Sequence, residues 1–285
     1  MSDSAIKIEN LSYRYEKGSL ALHNINIEIK KGEFVGIIGQ NGAGKSTLLK
    51  NITGLLRPTT GRVQVNGRDT INVPVSDLAL EVGFVLQNPD RQLFAATVME
   101  EVAYGPKNMG LSQGQIKERV DYALNAVGLS HLREAFPPAL SKGDRAKVVI
   151  ASVLAMGPQI IILDEPTSGQ DYRGCYQIMD IAQEFNKRGH TLLVVTHHMA
   201  LVAEYTNRTV VLMNGSVLMD ASTREVFSHP DKLKMTHITP PQITQVARAL
   251  QPRIPLSGTI LNVKELGDEL LALKGKKRGR VGSAG

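Results

Sequence analysis

Residues Gly39-Gln40-Asn41-Gly42-Ala43-Gly44-Lys45-Ser46-Thr47 stand between an apolar, strand-like run at 34–38 and a helix-like stretch at 46–55. Glycines at 39, 42 and 44 admit backbone dihedrals closed to other residues, so several N–H groups can turn inward on a β-phosphate, and the helix N-terminus adds its positive dipole end. Lys45 is placed to reach the β- and γ-phosphates and the Ser46 hydroxyl to ligate Mg²⁺, while Asn41, Ala43 and Thr47 complete the loop. An accidental glycine-rich turn would not also carry the strand before it and the helix after it. The context makes this a nucleoside triphosphate site.

The second chemical signal is Ile160-Ile161-Ile162-Leu163-Asp164-Glu165-Pro166. A buried strand ending in two adjacent carboxylates presents both at the C-terminal edge of a parallel sheet, where ligands bind in open α/β folds. Asp164 is then expected to hold Mg²⁺, mainly through water, and Glu165 to polarise the attacking water as general base. An Asp-Glu pair alone is an ordinary polar strand end; with Lys45 upstream it reads as catalytic.

Around these motifs the hydrophobic pattern changes along the chain. Residues 6–15 and 22–30 alternate apolar and polar, as half-buried strands do, and Asn66-Gly67 marks a hairpin after 62–65, so the first part is antiparallel. The runs 34–38, 82–86, 160–163 and 192–196 are apolar throughout and separated by longer periodic stretches, the mark of a parallel sheet flanked by helices. Between Asp90 and Gly157 the sequence is predominantly helical, for instance over 113–127, and reads as an inserted subdomain. Asn214-Gly215 marks a second hairpin. Beyond it Pro230, Pro240, Pro241, Pro252 and Pro255 punctuate an expected appendage of short elements.

The chain has 285 residues, 42% of them hydrophobic, enough for one large or two small soluble domains. The first ten residues lack the apolar stretch of a signal peptide and no run reaches bilayer-spanning length, which points to the cytosol. The lone cysteine, Cys175, excludes a disulfide framework or a cysteine-built metal site and reads as a bystander. The formal charge is +6, but Lys274, Lys276, Lys277, Arg278 and Arg280 lie together in a Gly-rich tail without acids, leaving the remainder nearly neutral. Nucleic acid is therefore not an expected partner. The tail reads as solvated and disordered rather than as a contact for anionic lipid.

Further motifs, taken in order, make the chain resemble the ATP-binding cassette superfamily. Gln87 ends an apolar strand and resembles the glutamine that links Mg²⁺ and water to the transmembrane partner. Leu140-Ser141-Lys142-Gly143-Asp144 stands where the family has its Leu-Ser-Gly-Gly-Gln signature, opening a helix that runs through Ala155. Ser168-Gly169-Gln170-Asp171 resembles the loop that crosses the dimer interface, His197 the switch histidine, and Tyr15 the aromatic on which adenine stacks. Tyr15 and Gln87 alone would be an ordinary strand aromatic and a strand-end polar residue. Adjacent His197 and His198 point to opposite faces of a strand and so do not share a metal ion; His198, standing where the family has an aspartate, is given no role.

The resemblance covers residues 5–220. It implies an α/β fold, a P-loop NTPase core of the cassette type with an antiparallel β subdomain, an inserted helical subdomain and a small C-terminal appendage, divided as 1–88, 89–157, 158–220 and 221–285. It also implies a transport-coupled ATPase that uses ATP and Mg²⁺. Glu165, His197 and Gln87 would be catalytic, and Ser46, Gln87 and Asp164 would hold the metal. ATP would be held by Tyr15 and loop residues Gly39, Asn41, Gly42, Ala43, Gly44, Lys45, Ser46 and Thr47, and across a dimer by Ser141, Gly143 and Asp171. In the family the signature binds the γ-phosphate of ATP held by the opposite subunit. Here Lys142 replaces a glycine and Asp144 a glutamine, which brings the competence of that composite site into question.

One stretch narrows the choice. Gln87-Asn88-Pro89-Asp90-Arg91-Gln92-Leu93-Phe94 is very similar to the segment found in energy-coupling factor transporter ATPases, the paired motors that drive uptake of vitamins and of nickel or cobalt ions. Pro240-Pro241-Gln242-Ile243, followed by Leu250, resembles their extra dimer-contact region. Asn88-Pro89 is a turn that ends the strand, so the residues after it can meet a membrane partner. The implied partners are a second ATPase subunit (a copy or a paralogue), a transmembrane coupling protein and a substrate-binding membrane protein, with this chain peripheral on the cytoplasmic face. The rivals are an ATPase of another transporter class, a soluble regulatory ATPase and a DNA-associated cassette. The last would carry long coiled coils before the signature, whereas fewer than a hundred residues without sustained heptads separate Lys45 from Ser141.

Overall fold

Both faces of the central sheet are buried, as its uninterrupted apolar runs demand. In the computed structural model, which describes residues 3–16, 18–256 and 258–281 (the last seven by backbone only), two sheets are present. Strands β1 (Ser4–Arg14), β2 (Leu20–Lys30), β4 (Thr60–Val65) and β5 (Arg68–Asp69) form an antiparallel sheet in the order β2-β1-β4-β5. Strands β3 (Phe34–Gly39), β6 (Val82–Val85), β7 (Ile160–Asp164), β8 (Thr191–Val195), β9 (Arg208–Met213) and β10 (Ser216–Ser222) form the second, in the order β10-β9-β3-β8-β7-β6. All neighbours in it are parallel except the hairpin β9–β10.

The strand period of two divides the core. Ile160, Ile162, Leu193 and Val195 face the antiparallel sheet and helix α1 (Lys45–Ile52). Ile161, Leu163, Leu192 and Val194 face the helical side. There α3 (Val98–Asn108), α4 (Gln113–Ala126), α5 (Lys142–Met156) and α6 (Tyr172–Lys187) cover the sheet, α2 (Val75–Glu81) having led into β6. Helix α4 starts in a Ser112/Gln115 capping box, and α5 stops at Gly157, whose φ of 72° is the left-handed conformation glycine supplies without strain.

Both expected hairpins are present, at Asn66-Gly67 and Asn214-Gly215. Two expectations need correction. Helix α7 (Met199–Tyr205) precedes β9 in the core, and the appendage contains the short α8 (Thr223–Ser228), α9 (Pro230–Lys234) and α10 (Gln242–Leu250), but it ends in a long helix, α11 (Val263–Val281). Glycines and the basic run suggested disorder, yet the prolines stop at 255 and Glu, Leu, Ala and Lys are good helix formers. Asn262 Oδ1 caps the helix by accepting from the Glu265 N–H at 2.9 Å. The backbone of the basic tail is therefore helical; the side chains of Lys276, Lys277, Arg278 and Arg280 lie outside the described residues. No helix among the described residues is long and apolar enough to cross a membrane.

Candidate functional site

Strand order brings the motifs together. Parallel pairing aligns Ile37 with Val195, Asp164 with Val195, and Val85 with Leu163, so the C-terminal ends of β3, β8, β7 and β6 share one edge. The phosphate loop, His197, Asp164-Glu165 and Gln87 emerge there, at the position where open parallel sheets take ligands.

Lys45 is 7% exposed and its Nζ donates to the carbonyls of Gly39 at 2.7 Å and Gln40 at 3.0 Å, so the lysine is folded back into its own loop. Burial pushes its ammonium below the ordinary lysine range, with Glu165 and Asp164 pulling the other way. The glycine at 44 is obligatory: φ is 101°, and a Cβ there would lie 2.8 Å from Leu22 Cδ2 and 2.9 Å from the Ala21 carbonyl. Gly42, at φ 80°, faces open space, and Asn41 is exposed at the mouth. Buried Thr47 meets the Tyr15 hydroxyl at 3.1 Å, so Tyr15 borders the loop, half-exposed and edge-on to Tyr13.

The Ser46 hydroxyl donates to Asp164 Oδ2 at 3.3 Å. Burial pushes the Asp164 carboxyl up, opposed by this hydrogen bond. A hydroxyl and a carboxylate are hard oxygen donors of the kind Mg²⁺ takes, and few protein ligands suffice because Mg²⁺ retains waters and phosphate oxygens. Glu165 sits at φ 49°, uncommon for a non-glycine, with its N–H donating to the Val195 carbonyl at 2.9 Å. Its carboxylate is clamped on both oxygens. Gln87 Nε2 donates to Oε2 at 2.7 Å and His197 Nε2 lies 2.6 Å from Oε1. Gln87, expected beside the metal, is thus tied to the second carboxylate rather than to Ser46 and Asp164.

Ser141, Gly143 and Asp171 form a separate cluster. Ser141 caps α5 and Asp171 caps α6, the latter accepting from the Gly174 N–H at 2.7 Å. The two helix starts and the loop 168–171 enclose a polar cleft of about 440 Å³. Cys175 is buried beneath it, its Sγ 3.7 Å from the Thr167 carbonyl.

Sequence reasoning missed the residues that brace these groups. The Gly215 N–H donates to the Ala43 carbonyl at 3.1 Å and Gln40 Nε2 to Asn214 Oδ1 at 3.3 Å, so the β9–β10 turn supports the phosphate loop from behind. Gln92 ties the segment after β6 to the sheet, accepting from the Leu86 N–H and donating to the Phe84 carbonyl. Buried Glu101 accepts from the N–H groups of Phe94 and Ala95. A turn dipeptide and two polar residues carry no local sign of such distant contacts.

The ABC transporter family profile matches residues 22–168. The energy-coupling factor transporter ATP-binding protein EcfA1 of Clostridium perfringens is 39% identical over 282 residues, covering 96% of this chain and 100% of that protein. Putative ABC transporter ATP-binding proteins of Caldanaerobacter and Methanosarcina are 39–41% identical but longer, and this chain spans a little under half, 43–46%, of their length. Among solved structures, cbiO1 of Clostridium perfringens, part of the ABC transporter complex cbiONQ, has a TM-score of 0.76 at 37% identity, over 89% of this chain and 97% of that one. A dimeric ATP-binding cassette in a post-hydrolysis state bound to ADP and Pi has a TM-score of 0.69 at 31% identity, over 77% and 99%. With the phosphate loop, carboxylate pair and cassette fold agreeing with these likenesses, the chain belongs to the ABC transporter family of ATP-binding cassettes.

Proposed function

We propose that this chain is the ATP-hydrolysing subunit of an energy-coupling factor type importer. It would act at the cytoplasmic face of the membrane with a second cassette, a transmembrane coupling protein and a substrate-binding membrane protein, to take up a vitamin or a transition-metal ion. The observation that carries the reading is the convergence of Lys45, the Ser46–Asp164 pair and the clamped Glu165 on one sheet edge. The full-length likeness to EcfA1 and the segment 87–94 favour the energy-coupling factor type. The division proposed for the chain is core at 1–88 and 158–220, helical subdomain at 89–157 and appendage at 221–285.

In this mechanism Ser46 and Asp164 would hold Mg²⁺, which would supply charge neutralisation for the phosphates. Lys45 exchanges its two loop carbonyls for the β- and γ-phosphates, and the amides of 39–47 supply the remaining donors. Tyr15 provides the stacking surface for adenine. Glu165 receives the proton of the attacking water on a carboxylate oxygen. His197 orients that carboxylate through Oε1, while Gln87 on Oε2 withdraws to admit the water. Gln87 and Phe94 share one short segment, so a membrane protein contacting that segment bears on the base.

The deciding experiment is recovery of the tagged chain from detergent-solubilised membranes with identification of what accompanies it. A second cassette and two integral membrane proteins are expected. Recovery with nucleic acid, or with no membrane protein, would overturn the reading.

A further inference from the structure

The phosphate loop is held from outside, between two backbones remote from it in sequence: β2, through residues 21–23, and the turn Asn214-Gly215 that joins β9 to β10. Gly215 stands between them and uses both of its backbone groups. Its N–H donates to the Ala43 carbonyl at 3.1 Å, and its own carbonyl accepts from the His23 N–H at 2.7 Å. Glycine is required there, because φ is 80° and a Cβ would lie 2.7 Å from both the Ala21 carbonyl oxygen and His23 Cδ2. Beside it Asn214, at φ 48°, accepts from Gln40 Nε2 at 3.3 Å.

The direction of the bond to Ala43 matters chemically. In a trans peptide the carbonyl and the N–H that follows it point to opposite sides. By drawing the Ala43 carbonyl toward the hairpin, Gly215 turns the Gly44 N–H away from it, and that N–H has no hydrogen-bond partner among the described residues. Gly44 precedes α1, so its amide adds to the positive end of that helix. On the other arm of the loop, the Gln40 side chain is tied to Asn214 while its carbonyl accepts from Lys45 Nζ at 3.0 Å. The turn therefore grips the loop on both sides of Gly42, the residue that faces open space.

We infer that Gly215 and Asn214 are positioning residues for the nucleotide: the β9–β10 turn presets the loop amides, the Gly44 N–H first, in the orientation a phosphate group needs. A preset donor costs no reorganisation when the anion arrives. The turn thus acts on phosphate affinity and leaves Asp164 and Glu165 as they are. This role rests on the nucleotide-site reading above, which ATP binding by the unmodified chain tests separately.

The readouts are calorimetry of the full chain with Mg²⁺ and ATP, thermal melts of the nucleotide-free proteins, and KM and kcat of the assembled complex. Gly215→Ala should weaken ATP binding by about tenfold or more, since a strained residue or a displaced turn would each release the Ala43 carbonyl. Asn214→Gly keeps the left-handed turn but removes the oxygen that Gln40 donates to, and should weaken ATP binding by about two- to tenfold, the usual effect of one neutral hydrogen bond. Gln40→Ala should match it, and the two changes together should cost no more than either alone. In the Gly215 and Asn214 variants KM should rise while kcat at saturating ATP stays within about twofold of the unmodified complex. Unaltered ATP affinity in Gly215→Ala and Asn214→Gly, even with a lower melting temperature, would overturn the role and leave the turn purely structural. Additive losses from Asn214→Gly and Gln40→Ala, or a fall in kcat at unchanged KM, would overturn it as well. If Gly215→Ala does not fold, the Asn214 and Gln40 variants decide alone. Absence of ATP binding by the unmodified chain would instead bring down the nucleotide-site reading.

Discussion

Lys45 and Glu165 are legible in the sequence because each belongs to a contiguous motif whose chemistry requires that residue type. Lys45 is buried, yet its partners here are two carbonyls of its own loop, so its charge is held ready rather than spent on a carboxylate. A charged contact to phosphate contributes about 1.5 to 3 kcal/mol, and Lys45→Ala should weaken ATP by roughly ten- to a hundred-and-fifty-fold in titration calorimetry. Unchanged affinity would dismiss the loop as the nucleotide site. Glu165→Gln should bind ATP normally but hydrolyse it about 10²- to 10⁴-fold more slowly, the usual effect of losing a positioned base. Phosphate release by the assembled complex measures this, and wild-type turnover would assign the base elsewhere. The hydrogen bond from the Ser141 hydroxyl to Asp144 was not legible at this scale. The substitution is visible in the sequence, but the direction of the hydroxyl is set only once α5 has begun.

At the scale of elements, the strands were legible because burial on both faces leaves unbroken apolar runs, as at 160–163 and 192–196. The helix α11 was not, because its glycines and charges outweighed its helix formers in a reading without tertiary contacts. Those contacts are identifiable. Arg224 makes a two-pronged ion pair with Glu265 at 2.7 and 3.1 Å, fixing α8 to the first turn of α11, and the Leu261 N–H donates to the same carboxylate at 2.9 Å. The Arg224 guanidinium holds the Glu265 carboxyl below its ordinary value of 4.5. A carboxyl whose value is lower in the folded state stabilises the fold fully above the unfolded value, and this contribution is lost as pH falls through the folded one. Half-exposed Arg224 limits the effect, so Arg224→Ala should cost about 0.5 to 1 kcal/mol at pH 7. The difference from wild type should shrink as pH is lowered below 4.5. Thermal melts over that range check the sign, and a difference that grows with acid would exclude the pair as its source.

For the whole molecule, the core and the helical layer meet in a groove of about 270 Å³ beside the segment that carries Gln87. Leu55, Val75, Phe94 and Tyr104 line it, all of them exposed, and Phe94 and Tyr104 pack edge to face at 4.7 Å. Glu101 and Gln92 hold the backbone behind them, so the aromatics form a rigid apolar surface at no further ordering cost. Clustered exposed apolar residues of this kind mark an interaction site. On the importer reading proposed above, this groove would receive the transmembrane coupling protein. Phe94 is 65% exposed and would serve as the central anchor, whose truncation typically weakens an interface by about 2 kcal/mol, roughly thirtyfold. Phe94→Ser should therefore strip the membrane proteins from the purified complex while leaving ATP affinity of the isolated chain unchanged, since none of the described residues lining the groove belongs to the nucleotide site. Calorimetry on the isolated chain and recovery from solubilised membranes give the two readouts. Retention of the membrane proteins by Phe94→Ser and by Phe94→Ser/Tyr104→Ser would place the coupling surface on another face of the molecule.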